Sequence, residues 1–228
     1  MKEATQQLLA GGPLVVGTVH SPGSLSLAAT LNPGDVDVLE FRIDSLLEQV
    51  DAAEQAMRAT RFPVILTVRH SFEGGAGDLS ADQRKELYRR FLPHATFVDI
   101  ELRSLPEFSD LVEEAREMGC AVVISSHDFN KTPSIGTITA RQKRAFATGA
   151  DIFKFACATP TAHDLARLLD FSQRRSHAHS IMGMGRFGKA SRIALAEAGS
   201  CLNYGYLDAP NAPGQWEARE LRRAISQT

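Results

Sequence analysis

A short apolar run with one amine at its centre occupies residues 150–156, Ala150-Asp151-Ile152-Phe153-Lys154-Phe155-Ala156. Its continuous hydrophobic character is typical of a strand that is covered on both faces, as the strands of a parallel sheet are. An ammonium group loses its hydration inside such a strand, so a lysine there is usually neutralised, paired or used in chemistry. The run therefore predicts a buried parallel strand and marks Lys154 as a candidate functional residue.

A second apolar run lies earlier in the chain and ends in a histidine, Val122-Val123-Ile124-Ser125-Ser126-His127-Asp128. A desolvated lysine can form an imine with a carbonyl compound, and a histidine can transfer protons near neutral pH. Lys154 and His127 at the ends of successive strands therefore suggest imine chemistry with proton transfer. The simpler alternatives are a lysine that extends its ammonium into solvent and a core histidine whose hydrogen bonds are satisfied.

Short strand-like runs alternate with longer helical stretches along the rest of the chain. The strand-like runs are Leu14–Val19, Val36–Arg42, Val64–Arg69, Phe97–Leu102, Ala121–Ser126, Ile152–Ala156, His179–Met184 and Cys201–Gly205. The helical stretches are Leu46–Thr60, Ala81–Phe91, Pro106–Met118, Ile138–Ala147, Thr161–Arg174, Ala190–Glu197 and Trp216–Ser226. This alternation predicts an α/β fold of the (β/α)8 TIM-barrel type, as a single domain over residues 1–228. An open, doubly wound sheet is the alternative.

The composition is that of an ordinary globular protein. The 228 residues are 43% hydrophobic and 23% charged, with a formal net charge of −2. This balance offers no electrostatic footprint for nucleic acid, and the apolar runs are too short for a transmembrane helix. The first residues contain no apolar signal-peptide core. The cysteines form no CxxC pair and the histidines no ligand pair, so we expect reduced thiols in the cytoplasm and no metal site.

Charged side chains collect at the ends of the predicted strands, where the active sites of such barrels lie. Glu40 and Arg42 end the second strand and project to the same side, because they are two residues apart. Arg69 ends the third strand, and Glu73 follows it. An interior ion pair between Glu40 and Arg42 is the simpler alternative. Several ionisable groups at one end of a barrel cost stability together, however, and active sites are where that cost is accepted.

A glycine-rich segment follows the seventh strand, Gly183-Met184-Gly185-Arg186-Phe187-Gly188-Lys189. It satisfies the pattern GxGxxG and nearly satisfies the phosphate-loop pattern, but Ala190 stands where the magnesium-binding hydroxyl would be. The segment also lies late in the chain instead of opening a βαβ unit. We therefore do not predict nucleotide binding, although the segment could hold an anionic substrate at a helix N-terminus.

Several short motifs occur in a fixed order after residue 13. They are Leu39-Glu40-Phe41-Arg42-Ile43-Asp44, Thr67-Val68-Arg69, Glu73-Gly74-Gly75, Val98-Asp99-Ile100-Glu101-Leu102, Ser126-His127-Asp128-Phe129-Asn130-Lys131-Thr132-Pro133, Ala150-Asp151-Ile152-Phe153-Lys154, Ser191-Arg192 and Ala212-Pro213-Gly214-Gln215. In this order the chain resembles the type I 3-dehydroquinate dehydratases, a family of the shikimate pathway. The strings HDFxKTP and APGQ are the most specific part of the resemblance.

The resemblance implies a (β/α)8 barrel that dehydrates 3-dehydroquinate to 3-dehydroshikimate without a cofactor. It implies that Lys154 forms an imine with the substrate ketone, that His127 transfers protons and that Glu73 pairs with His127. The residues that would bind substrate are Glu40, Arg42, Arg69, Arg192, Asn211 and Gln215. Arg192 and Gln215 would hold the substrate carboxylate from mobile loops. The family's usual homodimer is likewise expected by resemblance.

Two features depart from the family pattern. Asn211 stands where the family often has serine, and an amide differs from a hydroxyl in reach and in the number of its donors. The loop Gly185–Lys189 also differs from the family's usual Lys-Thr-Gly. Two other functions remain open: another imine-forming barrel lyase or aldolase, which would lack the combination of HDFxKTP and APGQ, and a non-catalytic sensor, which would be signalled by the loss of Lys154 or His127.

Overall fold

The computed structural model describes residues 3–174 and 177–227, and its centre is a parallel sheet. The strands are β1 Leu14–Val19, β2 Val38–Arg42, β3 Val64–Thr67, β4 Phe97–Glu101, β5 Ala121–Asp128, β6 Ile152–Ala158, β7 His179–Met184, β8 Leu202–Tyr206 and the short β9 Trp216–Glu217. Their order in the sheet is β7-β6-β5-β4-β3-β2-β1-β8-β9. All eight predicted strands are therefore present, with boundaries that differ by a few residues.

The sheet curls until β7 meets β8, and this junction closes the barrel. No regular ladder joins these two strands in the described part of the chain. Four hydrogen bonds cross the seam instead: Cys201 N–H to His179 O at 2.9 Å, Ser180 Oγ to Leu202 O at 2.6 Å, Ile181 N–H to Ser200 Oγ at 3.0 Å, and Ser200 Oγ to Ile181 O at 3.3 Å. The predicted (β/α)8 barrel is confirmed. A doubly wound sheet is excluded, because its strand order reverses at a switch point.

Helices pack around the strands, and all but the first follow a strand in the chain. They are α1 Glu3–Ala10, α2 Pro22–Ala28, α3 Val50–Ala59, α4 Ala81–Phe91, α5 Leu105–Glu117, α6 Ile135–Ala147, α7 Ala162–Gln173, α8 Gly188–Glu197 and α9 Ala218–Ile225. Of the seven predicted helices, α4, α5 and α7 begin within one residue of the predicted position, α3 and α9 begin four and two residues later, and α6 and α8 begin three and two residues earlier. Residues 43–45 and 47–49 form 3-10 turns before α3, and β9 pairs with β8 before α9 begins. None of the described helices is long and apolar enough to span a membrane.

Two helices were not predicted from the sequence. The helix α2 begins Pro22-Gly23-Ser24, which resembles a turn, but the side chains of Ser21 and Ser24 form a reciprocal capping box that starts the helix. The helix α1 contributes Leu8 and Leu9, which pack against the apolar interior of the barrel. Packing against the barrel therefore stabilises α1. The hydrophobic periodicity of its eight residues is too short to predict a helix.

Buried apolar side chains form two separate layers. One layer lies inside the barrel and includes Ile65, Phe97 and Ile152. The other lies between the strands and the helices and includes Phe153 and Phe155. Successive residues of a strand point to opposite faces. Since Phe153 and Phe155 face the helices, the side chain of Lys154 between them points into the barrel.

Candidate active site

A cavity opens at the carboxyl ends of the strands. Its lining contains all nine residues that the sequence predicts for the site: Glu40, Arg42, Arg69, Glu73, His127, Lys154, Arg192, Asn211 and Gln215. Parallel strands deliver their ends to the same rim of a barrel, so residues far apart in the chain converge here.

Lys154 lies at the bottom of this cavity and is paired on three sides. Its Nζ atom lies 2.9 Å from Asp99 Oδ2, 3.2 Å from Glu40 Oε1 and 3.8 Å from the centroid of the Tyr204 ring. The side chain is only 4% exposed. Two carboxylates and an aromatic face stabilise a positive charge at this nitrogen. The amine in an apolar strand is thus stabilised by pairing with carboxylates that β2 and β4 place in the barrel interior.

The charges beneath the cavity balance one another. Three cations alternate with three carboxylates, all buried: Lys154, Arg69 and Arg84 with Glu40, Asp99 and Glu101. The Arg69 guanidinium bridges two of the carboxylates, with Nη1 2.9 Å from Asp99 Oδ1 and 3.0 Å from Glu101 Oε1. Arg84 Nη2 lies 2.6 Å from Glu101 Oε2. Buried charges persist in proteins when they are paired in this way.

Asp99 is fixed as an anion within this network. Burial alone would raise the pKa of its carboxyl, but the charges of Arg69 and Lys154 hold that pKa far below its usual range. The Ser125 hydroxyl also donates to Asp99 Oδ1 at 2.6 Å. Asp99 therefore keeps its charge throughout the pH range in which proteins work.

Glu40 has a different environment from Asp99. The Thr67 hydroxyl donates to Glu40 Oε1 at 3.0 Å, and the Thr18 hydroxyl lies 3.5 Å from Oε2. Lys154 is the one cation that forms an ion pair with it among the described residues. The simpler interpretation of the sequence, an ion pair between Glu40 and Arg42, is wrong, because Arg42 pairs with Asp44.

Arg42 braces the wall of the cavity. Its Nε and Nη2 atoms donate to the two Asp44 oxygens at 3.0 and 2.7 Å, and Nη2 also donates to Gly74 O at 2.9 Å. Asp44 in turn accepts from the backbone N–H groups of Arg69 and Ala76. These bonds tie the segment after β2 to the segment after β3, and they hold residues 43–45 in a 3-10 turn.

His127 and Glu73 form a buried pair. Glu73 Oε2 lies 2.8 Å from His127 Nδ1 and accepts the backbone N–H of the same histidine at 3.0 Å. Because Oε2 already accepts this backbone proton, Nδ1 donates to it and the Nε2 lone pair is left to act as a base. Burial raises the pKa of Glu73 to about 7, and burial together with the charges of Arg69 and Lys154 lowers the pKa of His127 well below its ordinary value. His127 is therefore neutral near pH 7.

Arg192 lies in α8 and not in a loop, so that part of the sequence prediction is wrong. Its side chain is buried and donates to four backbone carbonyl groups: Nε to Tyr204 O at 3.0 Å, and Nη1 to Gly183 O at 3.0 Å, Gly188 O at 3.1 Å and Gly214 O at 3.2 Å. No described carboxylate pairs with it, and burial lowers the pKa of Arg192 to about 10. A buried guanidinium without a counter-ion is a site prepared for an anion.

Asn211 and Gln215 complete the wall beside Arg192. Both lie in the loop before β9, as predicted for Gln215, and the Asn211 N–H donates to Gln215 Oε1 at 3.0 Å. Gln215 is nevertheless buried. The loop is held in place by a bond from Gly185 N–H to Pro213 O at 2.9 Å.

The glycine-rich segment after β7 serves packing. A Cβ atom on Gly188 would lie 2.7 Å from Gly214 O, and one on Gly183 would lie 2.7 Å from Thr159 Oγ1 and 2.8 Å from Ser191 Oγ. Only glycine permits the loop before β9 to approach α8 so closely. The resemblance of this segment to a phosphate loop is thus explained by local packing.

Two residues of the site were missed in the sequence. Asp99 is a charged residue in an apolar strand, and Asp99 with Glu101 repeats the two-residue spacing that identified Glu40 and Arg42. That spacing was an available signal. Tyr204 gave none, because an aromatic residue in a strand usually belongs to the core. Its hydroxyl is buried and has no hydrogen-bond partner among the described residues, and its ring contacts Lys154 Nζ.

Comparisons with known proteins agree with this geometry. Residues 17–228 match the family model described as type I 3-dehydroquinase. A 3-dehydroquinate dehydratase of Hydrogenobaculum sp. is 33% identical over 195 residues, which cover 84% of this chain and 88% of the relative. One of Methanocella arvoryzae is 31% identical over 214 residues, which cover 93% and 95%.

Solved structures give the same result. A type I 3-dehydroquinate dehydratase from Clostridium difficile, solved with covalently modified comenic acid, superposes with a TM-score of 0.85 at 25% identity, covering 95% of this chain and 92% of that one. The 3-dehydroquinate dehydratase of Enterococcus faecalis superposes with a TM-score of 0.81 at 28% identity, covering 95% and 94%.

Proposed function

Because this chain belongs to the type I 3-dehydroquinase family and is a 3-dehydroquinate dehydratase of the shikimate pathway, we propose that it carries out this dehydration through an imine on Lys154. The observation that carries the proposal is the position of the Lys154 amine. It lies at the bottom of a cavity whose walls hold one neutral base and one unpaired guanidinium. Dehydration of an anionic ketone through an imine uses all three: an amine to form the imine, a base to remove the proton and a cation to hold the substrate.

In this proposal the chemistry begins at Lys154. Its nitrogen attacks the substrate ketone, water leaves, and a protonated imine results. The positive imine withdraws electrons from the adjacent carbon and makes its proton acidic. Asp99 and the face of Tyr204 remain beside the nitrogen and stabilise the cation.

His127 then removes the acidic proton. Its Nδ1–H bond to Glu73 fixes the ring, so Nε2 acts as the base. The resulting enamine expels the β-hydroxyl group, and the imidazolium of His127 donates the proton that makes this group leave as water. Hydrolysis of the conjugated imine releases 3-dehydroshikimate and restores the lysine.

Arg192 orients the substrate for these steps. The negative charge of the substrate carboxylate compensates the buried guanidinium, and Asn211 and Gln215 offer amide groups on the same wall. Glu40 and Arg69 also line the cavity, where they would bind the substrate hydroxyls, while Arg42 braces the cavity through Asp44 and Gly74. Correct orientation matters because a small displacement of the reacting C–H bond greatly slows its cleavage.

The family resemblance also supports a homodimer that works in the cytoplasm, and the thiols of Cys157 and Cys201, which form no disulfide in the described part of the chain, fit a reducing compartment. Light scattering on the purified protein measures the oligomeric state directly.

Borohydride reduction tests the imine. Treatment with borohydride in the presence of 3-dehydroquinate should inactivate the protein and add the mass of one reduced adduct, located at Lys154 by peptide mapping. Lys154→Ala should lose nearly all turnover, measured by the absorbance of the enone product. A fully active protein without an adduct, or an adduct on another residue, would contradict the assignment.

A further inference from the structure

The contacts of Lys154 pose a question about its proton. Its Nζ atom forms ion pairs with Asp99 and Glu40, so the resting side chain is an ammonium group held by two carboxylates. An ammonium nitrogen has no lone pair and cannot attack a ketone. If the reaction uses an imine, as proposed above, one group must first take a proton from Lys154. The groups placed to take this proton directly are those within hydrogen-bonding distance of Nζ.

Asp99 is a poor acceptor for this proton. Both of its oxygens are engaged, Oδ1 by Arg69 at 2.9 Å and by the Ser125 hydroxyl at 2.6 Å, and Oδ2 by Lys154 itself. A proton on Asp99 would leave the buried Arg69 charge without one of its two partners. Asp99 is also fully buried, whereas Glu40 lines the cavity. The role of Asp99 is that of a permanent counter-ion.

His127 is also poorly placed to take the proton from the lysine. Its Nδ1 atom is bonded to Glu73, and among the described contacts of Lys154 Nζ none is to this ring. Its free Nε2 atom serves the later step, the removal of a proton from the substrate carbon.

Glu40 both contacts the lysine nitrogen and lines the cavity where substrate would bind. Its Oε1 atom lies 3.2 Å from Lys154 Nζ. Its other neighbours are the hydroxyl groups of Thr67 and Thr18, which can donate to a carboxylate or accept from a carboxylic acid. No arginine forms an ion pair with it in the described chain. Glu40 can therefore change its charge without leaving a fixed cation unpaired.

We infer that Glu40 is the proton acceptor and donor of imine formation. Its carboxylate takes one proton from the Lys154 ammonium, which frees the nitrogen lone pair. The nitrogen forms a bond to the ketone carbon, and one nitrogen proton moves to the former carbonyl oxygen to give a carbinolamine. The Glu40 carboxylic acid then returns its proton to that hydroxyl group. The C–O bond breaks, water leaves, and the nitrogen electron pair forms the cationic imine.

The test separates imine formation from the later steps. In His127→Ala the adduct should form but react on slowly, so its appearance after rapid mixing with 3-dehydroquinate can be timed by borohydride quenching and intact-protein mass. Adding Glu40→Gln to this background preserves the shape and the contact with Thr67 but removes the proton acceptor. We expect the adduct to appear about 100-fold more slowly, within the usual contribution of general acid–base catalysis.

Control variants distinguish proton transfer from structural damage. Glu107→Gln, an exposed carboxylate at the start of α5, should leave the rate of adduct formation unchanged in the same background. Glu40→Asp keeps a carboxylate and should lose less than Glu40→Gln. Glu40→Ala should be accelerated by added formate, which can occupy the vacated space and accept the proton. Circular dichroism and the melting temperature establish that each variant is folded.

Two results would overturn the inference. One is an unchanged rate of adduct formation in the folded Glu40→Gln variant. The other is complete loss of adduct in His127→Ala alone, which would make His127 the acceptor. Neither result bears on whether an imine exists, because that is decided by the adduct at Lys154 in the otherwise unchanged protein.

Discussion

At the scale of single residues, the pair of Glu73 and His127 determines how activity depends on pH. The base needs a neutral His127 whose Nδ1–H group is accepted by an ionised Glu73. Burial gives Glu73 a pKa of about 7 and lowers the pKa of His127 well below its ordinary value. As the pH falls, Glu73 is therefore protonated before His127. A protonated Glu73 no longer accepts the Nδ1–H bond as an anion, so the imidazole ring loses its orientation.

Glu73→Gln should shift the acidic limb of the kcat profile to lower pH. The titrating carboxyl is gone, and the removal of a neighbouring negative charge lowers the pKa of His127 further. The loss of kcat at the optimum should be smaller than in His127→Ala, about 10-fold against 10²–10⁴-fold, because Glu73 orients the base and does not itself react.

Steady-state kinetics between pH 5 and 9 would measure both effects of Glu73→Gln. An acidic limb that stays in place, or a loss that exceeds the loss in His127→Ala, would show that the base is another group.

At the scale of secondary-structure elements, α8 joins β7 to β8 through one side chain. Arg192 donates to Gly183 O at the end of β7 and to Tyr204 O in β8. The neighbouring strands around the rest of the barrel share regular ladders, whereas this guanidinium supplies bonds at the upper end of the β7–β8 seam. Arg192 thus has a structural task in addition to the proposed binding of the substrate carboxylate.

Arg192→Ala should therefore change two measurements together. KM should rise strongly, because a hydrogen bond to a charged group contributes roughly 1.5–3 kcal/mol. The melting temperature should fall as well, because buried carbonyl groups lose their donor. Arg192→Lys should recover part of the affinity but little of the stability, because an ammonium group cannot reproduce the planar fork.

Arg186→Ala is the matched control for Arg192→Ala, since Arg186 is an exposed cation in the loop just before α8. It should leave both KM and the melting temperature unchanged. An unchanged KM in Arg192→Ala would mean that Lys189 or Arg186 holds the carboxylate instead.

At the scale of the whole molecule, the barrel interior is apolar at one end and charged at the other. Along β4 the inward side chains run from Phe97 to Asp99 and Glu101, and along β6 they run from Ile152 to Lys154. Hydrophobic packing at the apolar end stabilises the barrel. The charged groups at the other end are stable there because groups from different strands pair with one another. This division explains why polar residues at the ends of apolar runs identified the site.

The sequence allowed the strands and most of the site to be predicted because both depend on local patterns. Lys154 and His127 interrupt apolar runs, and this is visible without any knowledge of their neighbours. The partners of Lys154 were not predictable in the same way, because Asp99, Glu40 and Tyr204 meet it only through closure of the barrel. The irregular seam between β7 and β8 was not predictable either. Strands that form a regular ladder and strands that do not are equally apolar in sequence.

That seam makes one edge of the barrel easier to separate than the others. Local opening of a protein begins where the fewest bonds must break, and amide hydrogens there exchange fastest with solvent. Amides of β7 and β8 should therefore exchange in D₂O before those of β3 and β4. A carboxylate bound at Arg192 would slow this exchange, because a ligand that prefers the closed form lowers the population of the open one. Binding of substrate would then slow amide exchange in β7 and β8, although the substrate forms no bond to the backbone of these strands.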